Sequence, residues 1–299
     1  MNQTTFSSQW APDFVGIGAE KSATTWAWSQ LEAHPYIEMS QPKELNFFNQ
    51  HFERGLDWYQ KHFTGTHGCL QGEISPLYMD CPAAADRMAC LNPDLRLLVM
   101  LRDPFDRALS HLMHDAQNVY GGVADVSADD LRTLALRDDK YVRRSCYFQG
   151  LTPYLDAFPR EQLGIFFFDD VADDPETLVR RMYFFVGADS SFVPENLTEK
   201  INRTKDYRSV VLYRVIRGIS TSANAFAPTR LAMEWVYRNT RLREKTLDLL
   251  MVDEGRPPLT PQDVLPEDQL LRIQQDYEQL NRIIDMPVSW QQSRSLSAA

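Results

Sequence analysis

The stretch FVGIGAEKSATTWAWSQLEAHP, Phe14 to Pro35, joins an apolar run, a short turn and a helical pattern. The turn carries Lys21, Ser22, Thr24 and Thr25. Backbone N–H groups at a helix start lack partners and lie at the positive end of the helix dipole. A lysine and hydroxyls placed there suit a phosphate. The ATP-type loop needs GxxxxGK[ST], but Glu20 stands where its second glycine belongs and Val15 where its first does. The shorter loop suits a single 5′-phosphate group better than a triphosphate chain. A plain strand–turn–helix with a capping threonine is the other reading of the same residues.

A second candidate is LLVMLRDPFDRALSHLMH, Leu97 to His114. Arg102 closes a strand-like run, the end at which open α/β sheets bind ligands. Ser110 follows about two helical turns later. A guanidinium and a hydroxyl can hold a second, separate phosphate; a salt bridge from Arg102 to a nearby carboxylate is the alternative.

These residues must be positioned by strands and helices. Apolar runs bounded by turn signals predict strands at Phe14–Gly18, Leu95–Leu101 and Leu163–Phe168, with Cys69–Ile74 as a fourth. Asp103-Pro104 reads as an N-cap followed by proline at the first helical position, and Pro175 opens a helix that closes near Gly187. Alternating strands and helices imply a mainly parallel sheet covered on both faces. Val211, Val215 and Ile219, and later Leu270, Ile273, Tyr277, Leu280 and Ile284, fit helices, with Gly255-Arg256-Pro257-Pro258 as a loop between them. The expected fold is an α/β, P-loop-like, three-layer fold with flanking helices and a helical C-terminal part at about 206–290. The expected domain is single, over 12–292.

The chain has 299 residues and a formal net charge of -10, which disfavours nucleic acid as a partner and a long polyanion as a substrate. Residues 203–245 run against that balance, with ten Lys/Arg and three Asp/Glu, and suggest an acceptor groove, a dimer surface or peripheral contact with an anionic membrane. No apolar run is long enough to span a membrane. The N-terminal MNQTTFSSQWAPDF lacks a basic residue and an apolar core, which argues against a secretory leader and for the cytoplasm. Cys69, Cys81, Cys90 and Cys146 form no CxxC pair and read as free thiols. His111 and His114 are three apart with no third ligand in view, so no metal is expected.

Together the two phosphate motifs resemble the cofactor motifs of the PAPS-dependent sulfotransferases (PAPS is 3′-phosphoadenosine 5′-phosphosulfate). Lys21-Ser22-Ala23-Thr24-Thr25, continued by Trp26, is similar to the family's KxGTT-type 5′-phosphosulfate loop. Leu101-Arg102-Asp103-Pro104 with Ser110 is similar to its 3′-phosphate motif. QPKELNFFN (Gln41–Asn49), RGLDWYQKHF (Arg54–Phe63), GEISPLY (Gly72–Tyr78) and the segment Arg143–Gly187 resemble the heparan sulfate N- and O-sulfotransferase domains and their bacterial relatives. The resemblance covers roughly residues 12–205, with a further match near Trp290.

The resemblance implies transfer of a sulfuryl group from PAPS to a hydroxyl or amine of a small-molecule, lipid or carbohydrate acceptor, without a metal. It implies Lys21 as the cation on the leaving phosphate and Glu44 as the base, with Phe47 and Phe48 partly desolvating that carboxylate. His51 and His111 are fallback bases. By motif position Tyr147 contacts the nucleotide, and Arg203 or Lys205 clamps its 3′-phosphate. Two departures stand out: Ile74 occupies the place of a lysine in the family's Glu-Lys-(Ser/Thr), and Asn202-Arg203-Thr204-Lys205 replaces its basic KGR-like loop. The competing readings are a Mg²⁺-dependent phosphotransferase or kinase, and a non-catalytic protein that binds PAP, the desulfated nucleotide.

Overall fold

The computed structural model describes residues 10–65, 68–120, 126–195, 197 and 259–290. The expectations for Arg203, Lys205, the basic 203–245 segment, the Val211–Ile219 helix and the Gly255–Pro258 loop lie outside them. The described residues divide into two units. One takes those within Met1–Ala108, Val142–Asn202 and Asp268–Ala299, the other those within Leu109–Tyr141 and Arg203–Glu267.

The first unit is built on five parallel strands: β1 (Phe14–Gly18), β2 (Ile37–Met39), β3 (Leu70–Ile74), β4 (Arg96–Leu101) and β5 (Leu163–Phe167). Their order is β2-β3-β1-β4-β5, so β1 lies centrally and its C-terminal end opens between β3 and β4. Register pairs Phe14 with Gly72 and with Arg96, and Leu97 with Leu163. At Gly72 a Cβ would stand 2.2 Å from the Phe14 ring, so only glycine lets the two strands meet there.

Both faces of the sheet are buried, as parallel strands require. Val15, Ile17, Leu97, Val99 and Leu101 point to one face and pack with Phe47, Tyr59, Tyr78, Tyr154 and Trp290. Phe14, Leu98 and Met100 point to the other and pack with Trp26, Leu31, Leu178, Met182 and Val186. The longer helices are α1 (Thr24–Ala33), α2 (Pro82–Leu91), α3 (Pro104–Tyr120), α4 (Ala128–Arg137), α5 (Tyr147–Ala157), α6 (Pro175–Val186) and α7 (Glu267–Leu280). The predicted three-layer arrangement with a mainly parallel sheet is therefore present, and each of the four strand runs is a strand. The three-residue β2 was not foreseen, because IEM is too short to show a period.

Helix ends follow local chemistry. Asp103 Oδ1 accepts from the amides of Phe105 and Asp106 at 2.9 and 3.2 Å, the expected cap of α3. Gly187 closes α6 at φ 90°. The first amides of α5 are capped from far along the chain: Asp276 of α7 accepts from Phe148 N–H at 2.8 Å and Gln149 N–H at 3.0 Å. Burial pushes the Asp276 carboxyl up, and those two amides oppose the shift.

In the second unit, Ser127 and Asp130 form a capping box at the start of α4. Asp115 accepts from the Tyr141 hydroxyl at 2.9 Å and pairs with Lys140 at 2.7 Å. His111 is buried with its ring centroid 4.9 Å from that of Tyr141.

Candidate functional site

The loop from β1 to α1 is fixed at both ends. Ala19 N–H donates to Met100 O at 2.7 Å, tying the loop to β4. Lys21 and Ala23 have φ of 69° and 61°, the left-handed region. That region costs a non-glycine residue about 1–2 kcal/mol, so surrounding contacts hold the loop in this shape. It also explains the resemblance at this point, since Ala23 stands where the motif usually carries glycine. Ala27 N–H makes an α1 bond back to Ala23 O at 3.0 Å, which places the amides of Thr24, Thr25 and Trp26 in the leading turn. Ser22 is buried and its hydroxyl has no hydrogen-bond partner. Thr24 is buried and Thr25 half-buried. The Trp26 ring turns into the core, its indole N–H donating to Leu197 O at 3.2 Å, so only its main-chain amide belongs to the loop's polar surface.

Arg102 follows β4, its guanidinium 4.6 Å from the Phe168 ring centroid. Its carbonyl accepts from the buried Tyr147 hydroxyl at 2.9 Å. Tyr147 thus meets the strand end that carries Arg102, and burial pushes its phenol up to about 12, with Arg107 and Ser22 tempering the shift. Ser22 lies near enough to temper it without completing a hydrogen bond of its own. Ser110 lies in the second unit, further along α3. Beneath, Arg107 is fully buried; its Nε donates to Ser145 Oγ at 2.6 Å, and Ser145 donates to Pro104 O at 2.7 Å. Burial lowers the Arg107 guanidinium to about 10, so it remains a cation at neutral pH. Sequence reasoning passed over Arg107, although a charged residue on the buried stripe formed with Pro104, Ala108, His111 and Leu112 was a usable signal.

Glu44 lies on a loop of unusual backbone, with φ of 65° at Glu44 and 51° at Asn46. Its side chain is 45% exposed and pairs with Lys43 Nζ at 2.5 Å. Phe47 and Phe48 turn inward, Phe47 stacking on Tyr59 with centroids 4.3 Å apart, so they do not give Glu44 the desolvation expected of them. His51 sits with its ring 5.5 Å from Trp58.

A fully buried carboxylate, Glu73, lies near the end of β3. It accepts from Tyr59 OH at 2.8 Å, Tyr78 OH at 2.6 Å and Ser75 Oγ at 2.7 Å. Burial raises its carboxyl, and bonds from Tyr78, Ser75, Tyr59 and the Leu45 amide oppose the rise. The same partners reach the Glu44 loop: Ser75 Oγ accepts from Asn46 N–H at 2.9 Å, and Tyr78 OH accepts from Phe47 N–H at 2.8 Å. Glu73 therefore anchors the segment that bears Glu44. Ile74, in the place of the family's lysine, is buried in the core. Among the described residues no group of three or more His, Cys, Asp and Glu is placed to hold a metal, and the four cysteines are free.

This geometry belongs beside three comparisons. A family model described as a sulfotransferase domain matches residues 11–210. The membrane-associated sulfotransferase kil1 of Dictyostelium discoideum is 23% identical over 292 residues, covering 67% of this chain and 62% of that protein. Heparan sulfate glucosamine 3-O-sulfotransferase 3A1 of Mus musculus is 27% identical over 188 residues, covering 60% and 47%. The chain thus spans less than two thirds of the length of either relative. Among solved structures, a sulfotransferase from Alicyclobacillus acidocaldarius aligns with TM-score 0.55 at 26% identity, covering 74% of this chain and 93% of that one.

Proposed function

The chain belongs to the sulfotransferase family, and from that premise we propose that it transfers a sulfuryl group from PAPS to a hydroxyl or amine of a small-molecule, lipid or carbohydrate acceptor. The observation that carries this reading is the loop Lys21–Trp26. It combines a lysine, leading amides of α1 and a buried Ser22 hydroxyl with no partner, which together fit one phosphate group. When bound, the donor supplies an activated sulfuryl group and leaves the acceptor's proton for a base. Lys21 places positive charge at the leaving phosphate. The amides of Thr24, Thr25 and Trp26 and the hydroxyls of Ser22, Thr24 and Thr25 orient it. Arg102 takes the 3′-phosphate, and Ser110 is assigned to it by motif position alone. Tyr147 sets the strand end that presents Arg102. Arg203 and Lys205 are assigned to the same phosphate by motif position alone.

Glu44 is the proposed base. Its exposed carboxylate can accept a proton, and the Glu73 network fixes the loop that carries it. The cytoplasm is the proposed place of action. No helix among the described residues is long and apolar enough to cross a membrane. The buried Ile74 in a position typed for lysine is what favours the second reading, a protein that binds PAP without turnover.

Calorimetric titration of the protein with PAP and with ATP, each with Mg²⁺ and with EDTA, separates the readings. Metal-independent PAP binding with no ATP signal supports the sulfotransferase, and Lys21→Ala should weaken it by at least about tenfold, or ~1.4 kcal/mol. Mg²⁺-dependent ATP binding without PAP binding would give the phosphotransferase reading instead. With radiolabelled PAPS and an acceptor that is turned over, Glu44→Ala retaining full activity would remove Glu44 as base. PAP binding without turnover of any acceptor would leave the non-catalytic reading.

A further inference from the structure

Next to the phosphate loop the described residues enclose a cavity of about 280 Å³. Glu20, immediately before Lys21, forms part of one wall. Pro76, Met79 and Asp80, which follow β3, form part of a second, and Arg143 and Arg144, which precede α5, part of a third. Ser75, the residue before the lining residue Pro76, accepts from the amide of Asn46 on the Glu44 loop.

Two arginines beside a phosphate loop would ordinarily serve as anion clamps. Here both are already engaged by this chain's own carboxylates. Arg144 Nη1 bonds Glu20 Oε2 at 2.6 Å and its Nε bonds Asp80 Oδ2 at 3.1 Å, while Arg143 bonds Asp80 Oδ1. These two positive and two negative groups balance one another in charge. Glu20, Asp80 and Arg144 are mostly buried, with side chains 28%, 18% and 21% exposed, so an entering anion would have to break partly desolvated pairs and approach two carboxylates. Pro76 and Met79 offer an apolar surface within the same cavity. The volume lies at the lower end for small-ligand sites, room for one ring rather than a chain segment.

We propose that this cavity receives an uncharged, hydroxyl-bearing acceptor unit about one sugar ring in size, and that Glu20 and Asp80 are the residues that exclude anionic acceptors. The proposal rests on the sulfotransferase reading. It also departs from a polyanionic acceptor such as the heparan sulfate named for one of the chain's relatives.

The test compares two rings of the same size that differ in one charge, methyl glucoside and methyl glucuronide, by calorimetry on the PAP-loaded full chain. The glucoside should bind, and the glucuronide should bind at least about tenfold more weakly. In Glu20→Gln/Asp80→Asn the freed arginines should erase or reverse that preference. Glu20→Gln alone should reduce it, which keeps the test decisive if the double variant does not fold. The proposal is overturned if neither ring binds, if the glucuronide binds as tightly as the glucoside, or if the carboxamide variants keep the preference. Failure of PAP to bind would refute the sulfotransferase reading instead, while titration of the two rings without PAP would still report the cavity's charge preference.

Discussion

Replacing Glu73 by glutamine is the most informative single change in the first unit. The carboxylate accepts from three hydroxyls at 2.6–2.8 Å, and the Leu45 amide also donates to it. Glutamine keeps the shape but turns one acceptor into a donor. If its NH₂ faces Ser75, that hydroxyl's proton loses its acceptor while its oxygen still accepts from Asn46 N–H; if it faces the tyrosines, two phenols lose their acceptor. Each arrangement leaves at least one buried donor unpaired, at about 1–3 kcal/mol apiece. The expected loss of about 2 kcal/mol corresponds to about 4–8 °C in Tm, taking roughly 2–4 °C per kcal/mol for a chain of this class. The pH dependence carries a sign that tests the cause. Burial raises the folded Glu73 carboxyl above its ordinary value of 4.5. Its contribution is then fully present below that ordinary value and declines as pH rises through the folded one. The glutamine variant does not titrate, so its deficit against the parent should be largest in acid and shrink toward neutrality. Thermal melts of both proteins between pH 4 and pH 7 read this directly. A deficit under about 0.5 kcal/mol would refute the view that Glu73 anchors the Glu44 loop, and one that grows with pH would refute the upward shift of its carboxyl.

Ala23→Gly relieves a left-handed residue at φ 61° and, after glycine's greater freedom in the unfolded chain, should stabilise by about 0.5–1 kcal/mol, measured as a higher denaturant midpoint at unchanged slope. Tyr147→Phe removes the bond to Arg102 O and should cost about 1 kcal/mol at pH 8. Because burial raises the Tyr147 phenol to about 12, the parent's stability should fall as pH rises from about 10 through 12, by up to ~2.7 kcal/mol. The phenylalanine variant lacks that slope, so denaturation at pH 11 should show the gap narrowed or reversed.

What the sequence disclosed and what it hid follow from how far each signal reaches. β1, β3, β4 and β5 are buried on both faces, so their apolar runs announced them, whereas β2 is three residues long and has no period. Lys21, Ser22, Thr24 and Thr25 could be singled out as candidates because one turn concentrates them within a few residues. Asp103 capped α3 as its place before a proline implied. The Glu73 anchor was not legible, since it gathers donors from residues 45, 59, 75 and 78 and nothing local distinguishes it from a surface glutamate. Glu44 was placed by motif, but its burial was misjudged: the two phenylalanines beside it pack inward on Tyr59 rather than over the carboxylate. The pairing of Glu20 with Arg144 spans 124 residues, and no spacing rule reaches that far.

Asp276 caps the first amides of α5 across 128 residues of chain. During synthesis α5 is therefore made with its leading amides open, and so is the turn that sets Tyr147 against the Arg102 carbonyl. Those amides find their acceptor only when α7 has been translated and has folded back. The loop from β1 to α1 can form before that, but the helix that steadies the neighbouring strand end is completed only by a segment made 128 residues later. A ribosome-bound chain halted before residue 276 should accordingly present the Lys21 loop of the proposed nucleotide site without a settled Arg102 strand end.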